Sequence, residues 1–350
     1  MHGLALWFGI AAALLAGCAS VNPSVDGALR TEEFRIASPA PGIELYVRNK
    51  APASMSRFSE DKTVLFVHGA TYPAETSFDL QLDGFSWMDY IARQGYDVYL
   101  VNVRGYGRST RPPSMSRPPN ESEPFATTEE AAADVGAAVD FIRKRRGISR
   151  LNLIGWSWGT ATMSLYTTRH NDHVNKLVLY APVWIRQTPS LVQTGAGPLG
   201  AYRTVTIDAA RQRWLTGVAA HKATDLIPPG WFEAWAKANL EADADGAKRN
   251  PPVIRAPNGV VLDSQRYWSA GKALFDPAAI RVPTLLIKAE WDSDTPAYMA
   301  QNYFAKLTNA PYKRYIEIGE GTHTVMMERN RMQLFREVQH FLDETGVERK

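Results

Sequence analysis

Apolar residues in this chain fall into blocks whose period changes along the sequence. Two short alternating runs, "EFRIAS" and "IELYVRN", flank "PAPG" and predict a hairpin at a sheet edge. "TVLFVHGAT" (63–71) and "YDVYLVNVRGYGRS" (96–109) are continuous β-branched runs, separated by a helical stretch near 80–94. From Thr127 the period becomes helical: Val135, Ala138, Val139 and Ile142 recur at i, i+3, i+4 and i+7. Thr127 and Glu130 have capping-box spacing at its start, and Gly147 marks its end. A strand "RLNLIGW", a helix from Trp158 to about Arg169 and a strand "NKLVLYAPV" follow. Later come the strand "VPTLLIKAEWD" (282–292), a helix near 297–308, the strand "YKRYIEIG" and a helix from about Met327 to Glu344.

Strands that alternate with helices and are apolar throughout predict an α/β fold, with a mostly parallel central sheet flanked by helices. Residues 185–280 break this rhythm with helical segments such as "DAARQRWLTGV" and "GWFEAWAKANL" and proline-rich joints. They are read as a helical cap inserted between two parts of the core, 32–184 and 281–350. Residues 18–31 are polar and read as a tether.

Composition changes this picture little, since 45% hydrophobic and 21% charged residues are ordinary for a globular chain. With 39 basic against 36 acidic residues, no nucleic-acid partner is expected. The N-terminus is more telling. Leu4 to Ala16 is an apolar stretch too short to span a bilayer but suited to a signal-peptide core, making residues 1–17 an export signal. Leu15-Ala16-Gly17-Cys18 resembles the lipobox of bacterial lipoproteins. That resemblance implies acylation of Cys18 and a membrane anchor. With Ala19 next, it implies the outer membrane of the cell envelope.

The candidate chemistry starts at "LNLIGWSWGTATM" (151–163). Turning from a buried strand into a helix within about two residues forces Ser157 into a strained conformation, with its hydroxyl raised above the sheet. Side chains at positions 155 and 159 would collide with neighbouring elements, and both positions are glycine. Gly-Trp-Ser-Trp-Gly in this context resembles the nucleophile elbow of serine-dependent α/β-hydrolases. The resemblance implies a serine, acid, histidine order along the chain. His323, in "GEGTHTVMMER" after the last strand, stands where the family has its base. The acid falls in "KAEWDSDTP", where Asp292 keeps the family spacing; Asp294 is the alternative, with a helix cap as its other role. The implied oxyanion donors are the backbone N–H groups of Trp158 and Ala70, with His68 a structural residue of the His-Gly loop.

The cap is rich in tryptophan, and Trp231 and Trp235 share a helical face. Either this face docks the cap on the core, or these rings join Trp156 and Trp158 in an apolar substrate pocket. "GAGPLG" (195–200) matches G-x-G-x-x-G but opens no βαβ unit, and neither an HExxH motif nor a cysteine cluster occurs, so no metal or cofactor is implied. The expected function is a serine hydrolase acting on carboxylic esters through Ser157, His323 and Asp292. The alternatives are an aminopeptidase or amidase of the same fold and a non-catalytic, surface-anchored binding lipoprotein.

Overall fold

The computed structural model describes residues 27–192 and 198–345. Cys18, the signal and most of the tether therefore lie outside the described residues. The strands are β1 (Leu29–Ala37), β2 (Glu44–Pro52), β3 (Thr63–Val67), β4 (Asp97–Val101), β5 (Leu151–Trp156), β6 (Val174–Tyr180), β7 (Tyr202–Thr206), β8 (Val253–Pro257), β9 (Thr284–Ala289) and β10 (Lys313–Ile318). Eight of them form one sheet in the order β1-β2-β4-β3-β5-β6-β9-β10. The predicted hairpin β1–β2 is antiparallel at the edge and β2 runs antiparallel to β4; the remaining pairs are parallel.

Strand residues alternate between two cores, because successive side chains leave opposite faces of a sheet. Leu65, Val67 and Leu153 enter the core on one face, whereas Val64, Phe66 and Ile154 enter the other. Both faces are covered, which is why the central strands read as unbroken apolar runs. Of the helical stretch expected near 80–94, only α2 (Trp87–Arg93) is helical; a short α1 (Ala74–Phe78) precedes it. In α3 (Thr128–Arg146) both halves of the Thr127–Glu130 capping box form, and Gly147 ends the helix at φ +66°. The elbow helix is α4 (Trp158–Arg169).

The inserted segment carries α5 (Ile207–Trp214), α6 (Ala220–Leu226), α7 (Trp231–Glu241), α8 (Ala244–Ala247) and α9 (Gly259–Asp263). It is not purely helical, and this corrects the sequence reading. β7 and β8 pair antiparallel across the four intervening helices α5 to α8. A ribbon whose partners are so far apart leaves no local periodic signal; only the β-branched content of "YRTVT" and "VIRAP" hints at it. The chain closes with α10 (Ala297–Lys306) and α11 (Arg331–Asp343), the latter preceded by a short 3₁₀ turn at Val325–Met327.

After β3 the chain crosses to β4 on one side, then returns to place β5 on the other. The carboxyl ends of β3 and β5 thus flank a topological switch point, where parallel sheets open a crevice.

Candidate active site

Ser157 sits in that crevice, between the last residue of β5 and the first of α4. Its backbone is held at φ +56°, ψ −121°, a strained conformation for a residue with a side chain. The surroundings hold it there: the Ser157 N–H donates to the Tyr180 carbonyl at 2.9 Å, and Thr160 N–H donates to the Ser157 carbonyl at 2.8 Å. The flanking glycines are steric requirements. A Cβ on Gly155 would lie 2.4 Å from the Gly159 carbonyl oxygen, and one on Gly159 would lie 2.5 Å from that of Val67.

His323 follows β10 and is almost wholly buried. Its carbonyl accepts from Trp156 Nε1 (3.0 Å) and from the Tyr180 hydroxyl (2.7 Å), so β5 and β6 fix its backbone. Its Nδ1 lies 2.9 and 3.0 Å from the two carboxylate oxygens of Asp292. Asp292 is itself anchored, accepting from Thr295 N–H (2.8 Å) and the Thr295 hydroxyl (2.7 Å). Burial lowers the proton affinity of His323, but the Asp292 and Asp294 carboxylates outweigh it and hold its pKa above the ordinary value. With Nδ1 engaged by a carboxylate, Nε2 is the imidazole nitrogen left to exchange a proton. Ser157 and His323 line the same small cavity, with Trp156, Tyr72 and Trp214 also in its wall. Among the described residues no hydrogen bond joins the Ser157 hydroxyl to His323, a looseness common in unliganded sites.

Asp294 caps no helix: the first turn of α10 has no side-chain cap. It instead accepts from Arg213 of α5, at 2.9 Å from Nε and 2.6 Å from Nη2. Burial raises the pKa of Asp294, but the Arg213 and His323 charges win and hold it below the usual carboxylate range. The histidine's carboxylate partner is therefore Asp292.

Ala70, Ser157 and Trp158 line one cavity. Trp158 is the first residue of α4, where backbone N–H groups have no partner within the helix. The Ala70 carbonyl is tied back by the Tyr106 hydroxyl (2.7 Å) and by Arg203 Nη2 (2.5 Å). His68 is fully buried and neutral, with burial pulling its pKa to about 4. Its Nδ1–H donates to the Gly69 carbonyl and its Nε2 accepts from Val103 N–H, so it braces the loop and has no nitrogen free to act as a base.

A second cavity of about 190 Å³ also reaches Ser157, lined in part by Trp158, Trp268, Arg186 and Arg213. Trp156 lines the small cavity and Trp158 the larger one. Trp231 and Trp235 line neither, which corrects the pocket reading. Trp235 packs edge-on against Tyr72 and Trp214, and Trp231 lies under the Arg331 guanidinium, so this face docks the cap. The cap tryptophans in the cavity walls are Trp214 and Trp268. Sequence reasoning also missed Arg186, Arg203 and Arg213; Arg186 follows the apolar run "APVWI", whereas Arg213 lies in the polar stretch "ARQR" and gave no signal. Among the described residues no group of three or more His, Cys, Asp or Glu side chains could hold a metal ion.

A mostly parallel eight-stranded sheet of this order has counterparts among known proteins. Residues 62–330 match the family model described as alpha/beta hydrolase fold. The chain belongs to the α/β-hydrolase fold family. Within it, a probable lipase of Schizosaccharomyces pombe is 33% identical over 95 residues, 26% of this chain and 20% of that protein. Human gastric triacylglycerol lipase is 32% identical over 136 residues, 37% of this chain and 34% of that protein. The chain spans between 20% and 48% of the length of the curated relatives it matches. A serine hydrolase involved in carbazole degradation shares the α/β-hydrolase architecture at TM-score 0.59 and 15% identity, covering 89% of this chain and 99% of that one.

Proposed function

We propose that this α/β-hydrolase is a serine hydrolase acting on carboxylic esters. Ser157 attacks the carbonyl carbon while His323 takes its proton, and Asp292 holds the imidazole and stabilises its charged form. His323 then protonates the departing alcohol, and water cleaves the acyl-enzyme by the same route. The N–H groups of Ala70 and Trp158 receive the developing oxyanion. The single observation that carries this reading is the Asp292–His323 pair opening on the cavity that holds the strained Ser157. The lipases among its relatives support an ester over an amide.

A fluorophosphonate probe will label the wild-type chain and not Ser157→Ala, and Ser157→Ala will lose ester turnover. Labelling that survives Ser157→Ala overturns the assignment. We also propose that the protein is exported and anchored through acylated Cys18, outside the described residues. Metabolic palmitate labelling lost in Cys18→Ser supports this; unlabelled wild type overturns it. No helix among the described residues is long and apolar enough to cross a membrane.

A further inference from the structure

The charges around the larger cavity do not balance. Arg186 and Arg213 both reach its wall, and Asp294 is the one carboxylate among the residues lining it. Arg213 engages that carboxylate through both Nε and Nη2, so the two charges neutralise each other. Among the described residues Arg186 pairs with no carboxylate side chain. Its Nη1 donates to the Pro189 carbonyl at 3.1 Å and its Nη2 to the backbone carbonyl of Asp294. Asp292 is taken up by His323 and Thr295. One guanidinium is thus left facing a partly enclosed cavity with only neutral partners, an arrangement relieved when an anion enters. Burial holds Arg186 below the usual guanidinium value even with Asp294 nearby.

Chemistry decides which part of a substrate meets Arg186. The departing oxygen must receive its proton from His323, so the alcohol portion belongs in the small cavity that His323 lines. The acyl portion then belongs in the larger cavity, which Ser157 lines and His323 does not. There Val260, Val261 and Trp268 offer an apolar wall for methylenes, and Arg186 offers a fork for a carboxylate.

We propose that the larger cavity is an acyl subsite for chains ending in a carboxylate, with Arg186 as the specificity-determining residue, so that the preferred substrates are monoesters of dicarboxylic acids. This rests on the ester-hydrolase reading of Ser157 and His323. The distal carboxylate takes no part in bond making or breaking.

The test compares the 4-nitrophenyl monoester of adipic acid with 4-nitrophenyl hexanoate, its uncharged counterpart, on the full chain. A charge-assisted pair predicts a kcat/KM ratio of about tenfold or more for the monoadipate in wild type, collapsing to about one or below in Arg186→Met. Ser157-dependent turnover of hexanoate with a wild-type ratio at or below one overturns the subsite and leaves the hydrolase reading standing. Absence of both turnover and fluorophosphonate labelling overturns the hydrolase reading and the subsite with it. Should Arg186→Met not fold, wild type alone decides. Free adipate will slow fluorophosphonate labelling of Ser157 where hexan-1-ol at the same concentration does not, and equal effects of the two overturn the subsite.

Discussion

At the scale of single residues, sterics and charge around Ser157 lead to sharp expectations. Gly159→Ala drives a methyl group against the backbone of Val67 and will cost about 2–3 kcal/mol in urea denaturation. Gly147→Ala, where the space is open and only a φ of +66° resists, will cost about 1–2 kcal/mol. His323 carries a pKa raised by Asp292 and Asp294, and only its neutral form can accept the Ser157 proton. The acid limb of kcat/KM will therefore fall above pH 6.5, the ordinary histidine value. Asp294→Asn removes one of the raising charges and will move that limb to lower pH. The sign for stability is opposite: the His323 contribution is complete below the unfolded pKa and is lost as pH rises through the folded one.

At the scale of elements, the site depends on connections between pieces far apart in the chain. Arg203, on the cap ribbon, donates to the carbonyls of Ala70 and Pro257 and to the Thr71 hydroxyl. It thereby holds the loop that carries Ala70, the proposed oxyanion donor. Arg203→Ala will lower kcat by about tenfold to a hundredfold with a smaller change in KM, since a misplaced oxyanion donor weakens the transition state more than ground-state binding. Arg203→Lys will not restore it, because one ammonium cannot reproduce the planar fork. Glu328, between His323 and α11, accepts from Thr322 N–H (2.9 Å), from the Thr322 hydroxyl and from Trp214 Nε1 (2.7 Å). Burial lifts its pKa to about 7. A carboxyl raised in the folded state contributes stability below its unfolded pKa and loses it as pH rises toward 7. The fall in Tm attributable to this group between pH 5 and pH 7.5 will be absent in Glu328→Gln, so that variant's Tm difference between the two pH values will be smaller.

At the scale of the whole molecule, the buried Arg213–Asp294 ion pair and the aromatic cluster of Tyr72, Trp214 and Trp235 are among the contacts that fasten the cap to the core. Arg213→Met leaves the Asp294 charge buried without its partner and will cost about 3–5 kcal/mol, whereas the double variant Arg213→Met, Asp294→Asn will recover part of that loss in a double-mutant cycle. Much of this architecture was legible beforehand. The core strands, the caps of α3 and the glycines of the elbow express local rules: period, capping and the steric limits of a tight turn; the order Ser157, Asp292, His323 was implied by the family resemblance. A residue obeys those rules through its immediate neighbours, so the linear text carries them. The β7–β8 ribbon, the docking of Trp231 and Trp235, the pairing of Asp294 with Arg213 and the unmatched charge of Arg186 were not legible. Each joins groups from distant parts of the chain, and whether a buried charge or ring meets a partner is settled only when packing brings the cap and the strand ends together.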